Sequence, residues 1–203
     1  MKKFTFKRQL LFVMLMLLGC LSIQAADDGL ITNQVVITLD RPGTLPQKIS
    51  ASDKYRITNL KINGKIDGTD FGFLREMAGQ SINGIDETDG KLSTLDLSDA
   101  KIVGGGDYYY QDSNDTKYYT KDDELGVCAF SNCWGLKAIT LPTDLKSVGE
   151  FAFSDCSSLE TLNLPSGITT IGNYAVWYCE NLTSVTLPSG LISIGDRAFE
   201  NCI

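Results

Sequence analysis

Four cysteines, Cys133, Cys156, Cys179 and Cys202, stand 23 residues apart. Equal spacing of a reactive residue type admits three kinds of chemistry. Strands stacked about 5 Å apart bring such positions within the Cα range a disulfide needs. A zinc site needs ligands converging on one point, which a regular row does not provide. A ladder of buried thiols, each serving as a small apolar residue, needs nothing further and fits a residue tied to a repeat phase. Cys128 lies outside the row, and a Cys128–Cys133 bridge stays open.

Residues 103–125 hold the second cluster: Gly104-Gly105-Gly106, then Tyr108, Tyr109 and Tyr110, then Asp112, Asp115, Tyr118, Tyr119, Asp122, Asp123 and Glu124. Tyrosine offers a large contact area with a polar tip, which suits recognition. Tyr108, Tyr109 and Tyr110 are therefore candidate binding residues. The alternative is a hairpin-like excursion whose tyrosines pack on the flank of the fold. The carboxylates lack the regular spacing of a twelve-residue calcium loop. No lysine follows the glycines where a phosphate loop needs one. Asp96 and Asp99 are the pair nearest to a two-carboxylate glycosidase arrangement, but that mechanism needs a cleft holding both. The sequence contains no histidine, so histidine bases and histidine metal sites are absent. No cofactor and no metal site is implied.

The elements that must position these residues repeat with the same period. Ala129-Phe130, Ala152-Phe153, Ala175-Val176 and Ala198-Phe199 recur every 23 residues, as do Leu136, Leu159 and Leu182, and Pro142, Pro165 and Pro188. Gly126, Gly149, Gly172 and Gly195 keep the same phase. Each unit carries a short strand pattern, such as Leu159-x-x-Leu162-x-Leu164, alternating apolar with polar. The proline after it ends the strand, because it cannot donate a ladder hydrogen bond. Stacked units bury the apolar face that one unit cannot, so the expected architecture is a solenoid. Ile57-x-x-Leu60-x-Ile62 and Leu92-x-x-Leu95-x-Leu97 extend the pattern upstream at irregular spacing, giving five parallel strands along a concave face. Residues 35–39 form a leading strand over the open end. Residues 70–78 read as a helix with Asp70 at its N-terminus. The Ala-Phe-x-x-Cys segments have room for about one helical turn on the convex side. On the concave face, Lys61, Asp96, Thr140, Asn163 and Thr186 point outward, and such a row can hydrogen-bond a glycan or an extended peptide.

The unit Ile-Gly-x-x-Ala-Phe-x-x-Cys-x-x-Leu-x-x-Ile-x-Leu-Pro resembles the BspA-like leucine-rich repeat family, closely over residues 126–203. The resemblance implies a leucine-rich repeat solenoid and a binding role on surface or secreted proteins, often adhesion to host proteins or other cells. It implies no catalysis and carries over no ligand residue. Val176 and Trp177 depart from the unit and point to local repacking.

Residues 1–25 read as an export signal: Lys2, Lys3, Lys7 and Arg8 precede an apolar run, and small residues follow. Two cleavages compete. A cut after Ala25 releases a soluble chain. Leu17-Leu18-Gly19-Cys20 resembles a lipoprotein box and would leave an acylated Cys20 on a membrane, as in an outer-membrane lipoprotein. Without the first 25 residues, 14 basic residues face 25 acidic ones, a net charge of −11, which argues against nucleic acid. The expected organisation is a signal (1–25), a cap with irregular repeats and the 103–125 insertion (26–125), and regular repeats (126–203). The last unit stops inside its repeat; an uncapped end invites self-association. The expected function is an exported, non-enzymatic module that binds a host extracellular protein or glycan. The alternatives are a spacer displaying a distal domain and, remotely, a carbohydrate-active enzyme.

Overall fold

The computed structural model describes residues 29–202. Its elements, in chain order, are β1 (Val35–Leu39), α1 (Leu45–Lys48), β2 (Asn59–Ile66), α2 (Gly68–Met77), β3 (Thr94–Asp96), β4 (Ala100–Ile102), β5 (Gly105–Gln111), β6 (Lys117–Thr120), β7 (Glu124–Leu125), β8 (Ala138–Thr140), β9 (Ser147–Val148), β10 (Thr161–Asn163), β11 (Thr170–Ile171), β12 (Ser184–Thr186) and β13 (Ser193–Ile194). One parallel sheet runs β1-β2-β3-β8-β10-β12, with β4 also pairing β2. A second parallel sheet of two-residue strands runs β13-β11-β9-β7. The chain is a leucine-rich repeat solenoid.

The alternation of apolar and polar residues produces this stack directly. Leu60, Leu95, Ile139, Leu162 and Val185 stand opposite one another across five strands. They face the interior; the first four are buried and Val185 is half-buried at the last strand. The carbonyls of Pro142, Pro165 and Pro188 each accept the amide three residues on, so every unit leaves the sheet through the same turn. The in-phase glycines set how closely units approach. A Cβ on Gly149 would stand 2.6 Å from the Gly126 carbonyl carbon, and one on Gly172 would stand 2.5 Å from the Glu150 amide nitrogen.

The Ala-Phe-x-x-Cys segments correct the expectation of helical turns. Among the described residues the helices are α1 and α2, and these segments are turns. Two columns of residues hold positive φ: Cys128, Phe151, Tyr174 and Arg197 at 52–55°, and Asn132, Asp155, Tyr178 and Asn201 at 56–59°. A left-handed residue at these positions breaks the run of right-handed residues that a helix requires. It also turns amides sideways. Phe130, Phe153 and Val176 donate to the Ala152, Ala175 and Ala198 carbonyls of the following unit, at 2.7–2.8 Å. Inter-unit bonds thus replace the helical i→i−4 bonds. The thiols join the same network in the opposite direction: Cys156, Cys179 and Cys202 donate to the carbonyls of Phe130, Phe153 and Val176 one unit back, at 3.0–3.1 Å. All five described cysteines are free thiols.

The N-terminal elements close the first unit. β1 adds to the edge of β2 in parallel, as a leading strand. The helix starts two residues earlier than the sequence pattern places it. Asp67 is its N-cap, and Asp70, at the third position, completes a capping box. Fully buried, Asp70 also accepts the amides of Gly43 and Leu45 at 2.7 and 2.9 Å, which ties the preceding loop to α2. At the other end of α2 lies Arg75, also fully buried. Its guanidinium donates to the carbonyls of Ala129 (3.1 Å) and Ser131 (3.3 Å), and the Tyr109 hydroxyl donates to that of Val127 (2.8 Å). One repeat later, at Glu150, Ala152 and Ser154, the same carbonyls receive the amides of Cys128, Phe130 and Asn132. Arg75 and Tyr109 therefore stand in for the unit that would precede the first turn.

Candidate binding surface

The outward residues singled out on the sheet form a single cross-strand row. Lys61 pairs with Asp96, Asp96 with Thr140, Thr140 with Asn163 and Asn163 with Thr186. At the usual strand separation the row is roughly 19 Å long. Its two ends differ. Thr140, Asn163 and Thr186 are exposed and make no side-chain hydrogen bond to other described residues. Lys61 and Asp96 are half-buried and joined: the ammonium lies 3.1 Å from Asp96 and 2.7 Å from Asp99. The two carboxylates raise the Lys61 pKa. Burial opposes ionisation of Asp96, but the Ser98 hydroxyl and amide, with Lys61, outweigh it and hold that carboxyl below its usual range. A general acid needs the reverse shift. This pair is an ion-pair cluster.

The 103–125 insertion is a hairpin of β5 and β6, antiparallel with a register shift between Gly105 and Tyr110. It does not present its three central tyrosines alike. Tyr109 is buried, 5.9 Å from the Phe71 ring, with its hydroxyl on Val127; it cannot contact a ligand, which corrects its place among the candidate binding residues. Gly126 leaves the space its hydroxyl occupies. Tyr110 is half-buried, with the Arg75 guanidinium 4.9 Å over its ring, and burial pushes its hydroxyl up to about 12. Tyr108 is half-buried beside Tyr119 and carries Lys117 at 4.5 Å. Asp112, which faces the hairpin turn, accepts the amides of Asn114 and Thr116 and the Tyr118 hydroxyl. These bonds hold it below its usual range and spend it on the turn's own structure.

Between the hairpin and the repeat flank lies a cavity of ≈ 430 Å³ lined by Tyr110, Tyr118, Cys128, Glu150 and Phe151, among others. Sequence reasoning missed it. Nothing in residues 103–125 says where the hairpin docks, and the column shared by Cys128 and Phe151 shows only once the turn positions are aligned. Burial raises the Cys128 thiol pKa, which favours the protonated thiol at neutral pH. Cys20 lies outside the described residues.

A family model for the BspA type leucine rich repeat region matches residues 105–203 in six copies. Residues 105–203, just under half of the chain, are thus similar to BspA-type leucine-rich repeat regions. No curated protein matches the chain. Among solved structures, the chain is similar to a leucine-rich repeat protein from Bacteroides ovatus ATCC 8483, known from a crystal structure at 1.19 Å resolution. The two share 19% identity over 84% of this chain and 35% of that one, with a TM-score of 0.45. The chain thus spans about a third of that protein's length. The matched region contains the hairpin, the cavity and the open end of the concave row; Lys61, Asp96 and the capping Arg75 precede it. Stacked repeats of this kind form an architecture that presents an extended surface for interaction.

Proposed function

We propose that this chain is an exported, non-enzymatic binding module that holds an extended segment of a host extracellular protein across its concave sheet, and so serves adhesion at the cell surface. The alignment of Lys61, Asp96, Thr140, Asn163 and Thr186 in one row carries this reading. An extended chain laid across the strands meets a donor or acceptor about every 5 Å. Among the described residues, the hydroxyls and amide at Thr140, Asn163 and Thr186 have no side-chain hydrogen-bond partner to give up. Asp96 and Asp99 are bound to Lys61, which supports a non-catalytic role. The apolar run after Lys2, Lys3, Lys7 and Arg8 supports export.

The test is binding of the purified mature chain to arrayed extracellular matrix proteins. The comparison is a variant with Thr140, Asn163 and Thr186 all changed to Lys. A specific hit lost in the folded variant is the expected result. A blank array from folded native protein, or a hit the variant keeps, would overturn the reading.

A further inference from the structure

Along the repeat flank, the residues of one left-handed column stack on one another. The rings of Phe151 and Tyr174 are 5.0 Å apart and 4° from parallel, and the Arg197 guanidinium lies 5.9 Å over Tyr174 on its far side. Tyr174 is therefore covered on both faces. Phe151 is covered on one. The column position before it is Cys128, whose side chain is too small to continue the stack, although its φ of 55° matches the 53° of Phe151. The gap this leaves is the cavity between the hairpin and the flank, which Tyr110 and Tyr118 wall from the other side.

The chemistry of the gap selects its guest. The lining holds Asp112 and Glu150 and no basic side chain. Asp112 is already spent on two amides and the Tyr118 hydroxyl. Glu150 has no ion-pair or side-chain hydrogen-bond partner among the described residues. Behind the opposite wall, the Arg75 guanidinium occupies one face of Tyr110 and meets only carbonyls. An anion faces Glu150; a cation at Tyr110 faces Arg75. A neutral guest with hydroxyls avoids both, and Glu150, Ser131, Ser154 and Asn132 offer it acceptors and donors.

We propose that this gap is a saccharide-binding site, in which one sugar ring of a neutral oligosaccharide stacks on the free face of Phe151 and gives its hydroxyls to Glu150 and the neighbouring serines. The C–H groups of a pyranose face carry partial positive charge and pack on the negative face of an aromatic ring. A cavity of ≈ 430 Å³ falls in the range of about 300–1,000 Å³ that small-ligand pockets occupy. The site is separate from the concave row and does not depend on it.

The experiment is an array of neutral gluco-, galacto-, manno- and xylo-oligosaccharides, with sulfated oligosaccharides and oligolysine as charged arms, followed by calorimetry on any hit. Two variants block the gap differently. Cys128→Phe supplies the missing member of the stack at a position whose backbone already suits Phe151 and Tyr174. Phe151→Asn removes the platform but keeps a residue that tolerates left-handed φ. A neutral saccharide hit that weakens roughly tenfold or more in both folded variants, and persists in the Thr140, Asn163 and Thr186→Lys variant, is the expected result. Folded native protein that binds no neutral saccharide, that binds only a charged arm, or whose hit survives Cys128→Phe would overturn it. So would a hit lost only in the concave-face variant, which would instead place the glycan on the row.

Discussion

Arg75 Nη1 lies 3.1 Å from the Ala129 carbonyl oxygen, where every later unit receives the amide of the unit before it. A solenoid's first unit has carbonyls that no earlier repeat satisfies, and a buried unsatisfied acceptor is costly. Here a non-repeating helix supplies the donor. Arg75→Leu removes bonds to several carbonyls at once and should destabilise the chain by about 2–4 kcal/mol. Tyr109→Phe, which loses one bond, should cost about 1 kcal/mol. Urea unfolding measures both, and an Arg75→Leu midpoint equal to the native one would refute the capping role.

The in-phase glycines predict a sharp difference between alanine substitutions. Gly149→Ala and Gly172→Ala drive a methyl into the backbone of the preceding unit and should each cost about 1–3 kcal/mol. At Gly104 the nearest atom to an added Cβ is 3.5 Å away, so Gly104→Ala should leave the melting temperature nearly unchanged. Equal effects at all three would mean that unit spacing does not depend on glycine.

The buried thiols make stability depend on pH above neutrality. Burial pushes Cys133 up to about 11 from an ordinary 9.0, and raises Cys156 well above that ordinary value. A folded pKa above the unfolded one means the unfolded chain loses its proton first. The stabilisation is complete below pH 9 and is lost as pH rises to about 11. For Cys133 alone, that shift corresponds to about 3 kcal/mol. Unfolding free energy should fall over this window, and Cys133→Ala should flatten the fall. Native protein at pH 8 should react with a thiol reagent far more slowly than unfolded protein.

Arg197 holds a φ of 53° while exposed. Left-handed backbone is costly for a long side chain and tolerated by Asn. Arg197→Asn should raise stability by about 0.5–1 kcal/mol in a thermal melt. A lower melting temperature would show that the guanidinium's position over Tyr174 outweighs the backbone relief.

Much of the fold was legible in the residues. The period of the Ala-Phe pairs, prolines and glycines marks the units, and Leu60, Leu95, Ile139 and Leu162 mark the strands, because apolar alternation has one stable use in a stack. The candidate row from Lys61 to Thr186 follows from the same alternation. The cavity was not legible: Cys128 looked like a stray thiol, and its importance lies in being small where Phe151 and Tyr174 are large.

The sequence by itself determined the repeat, the parallel strands and which side chains face outward from them. These are properties of local period, and each unit restates them. Only the tertiary structure decided that the Ala-Phe-x-x-Cys segments turn rather than coil, since their amides bond to the following unit. It also decided that Lys61 closes on Asp96 and Asp99, that Arg75 and Tyr109 cap the first turn, and that the hairpin stands beside Cys128. Each of these joins segments that do not repeat, or that lie in different units. Their meeting depends on how the stack places them in space, and no spacing along the chain encodes it.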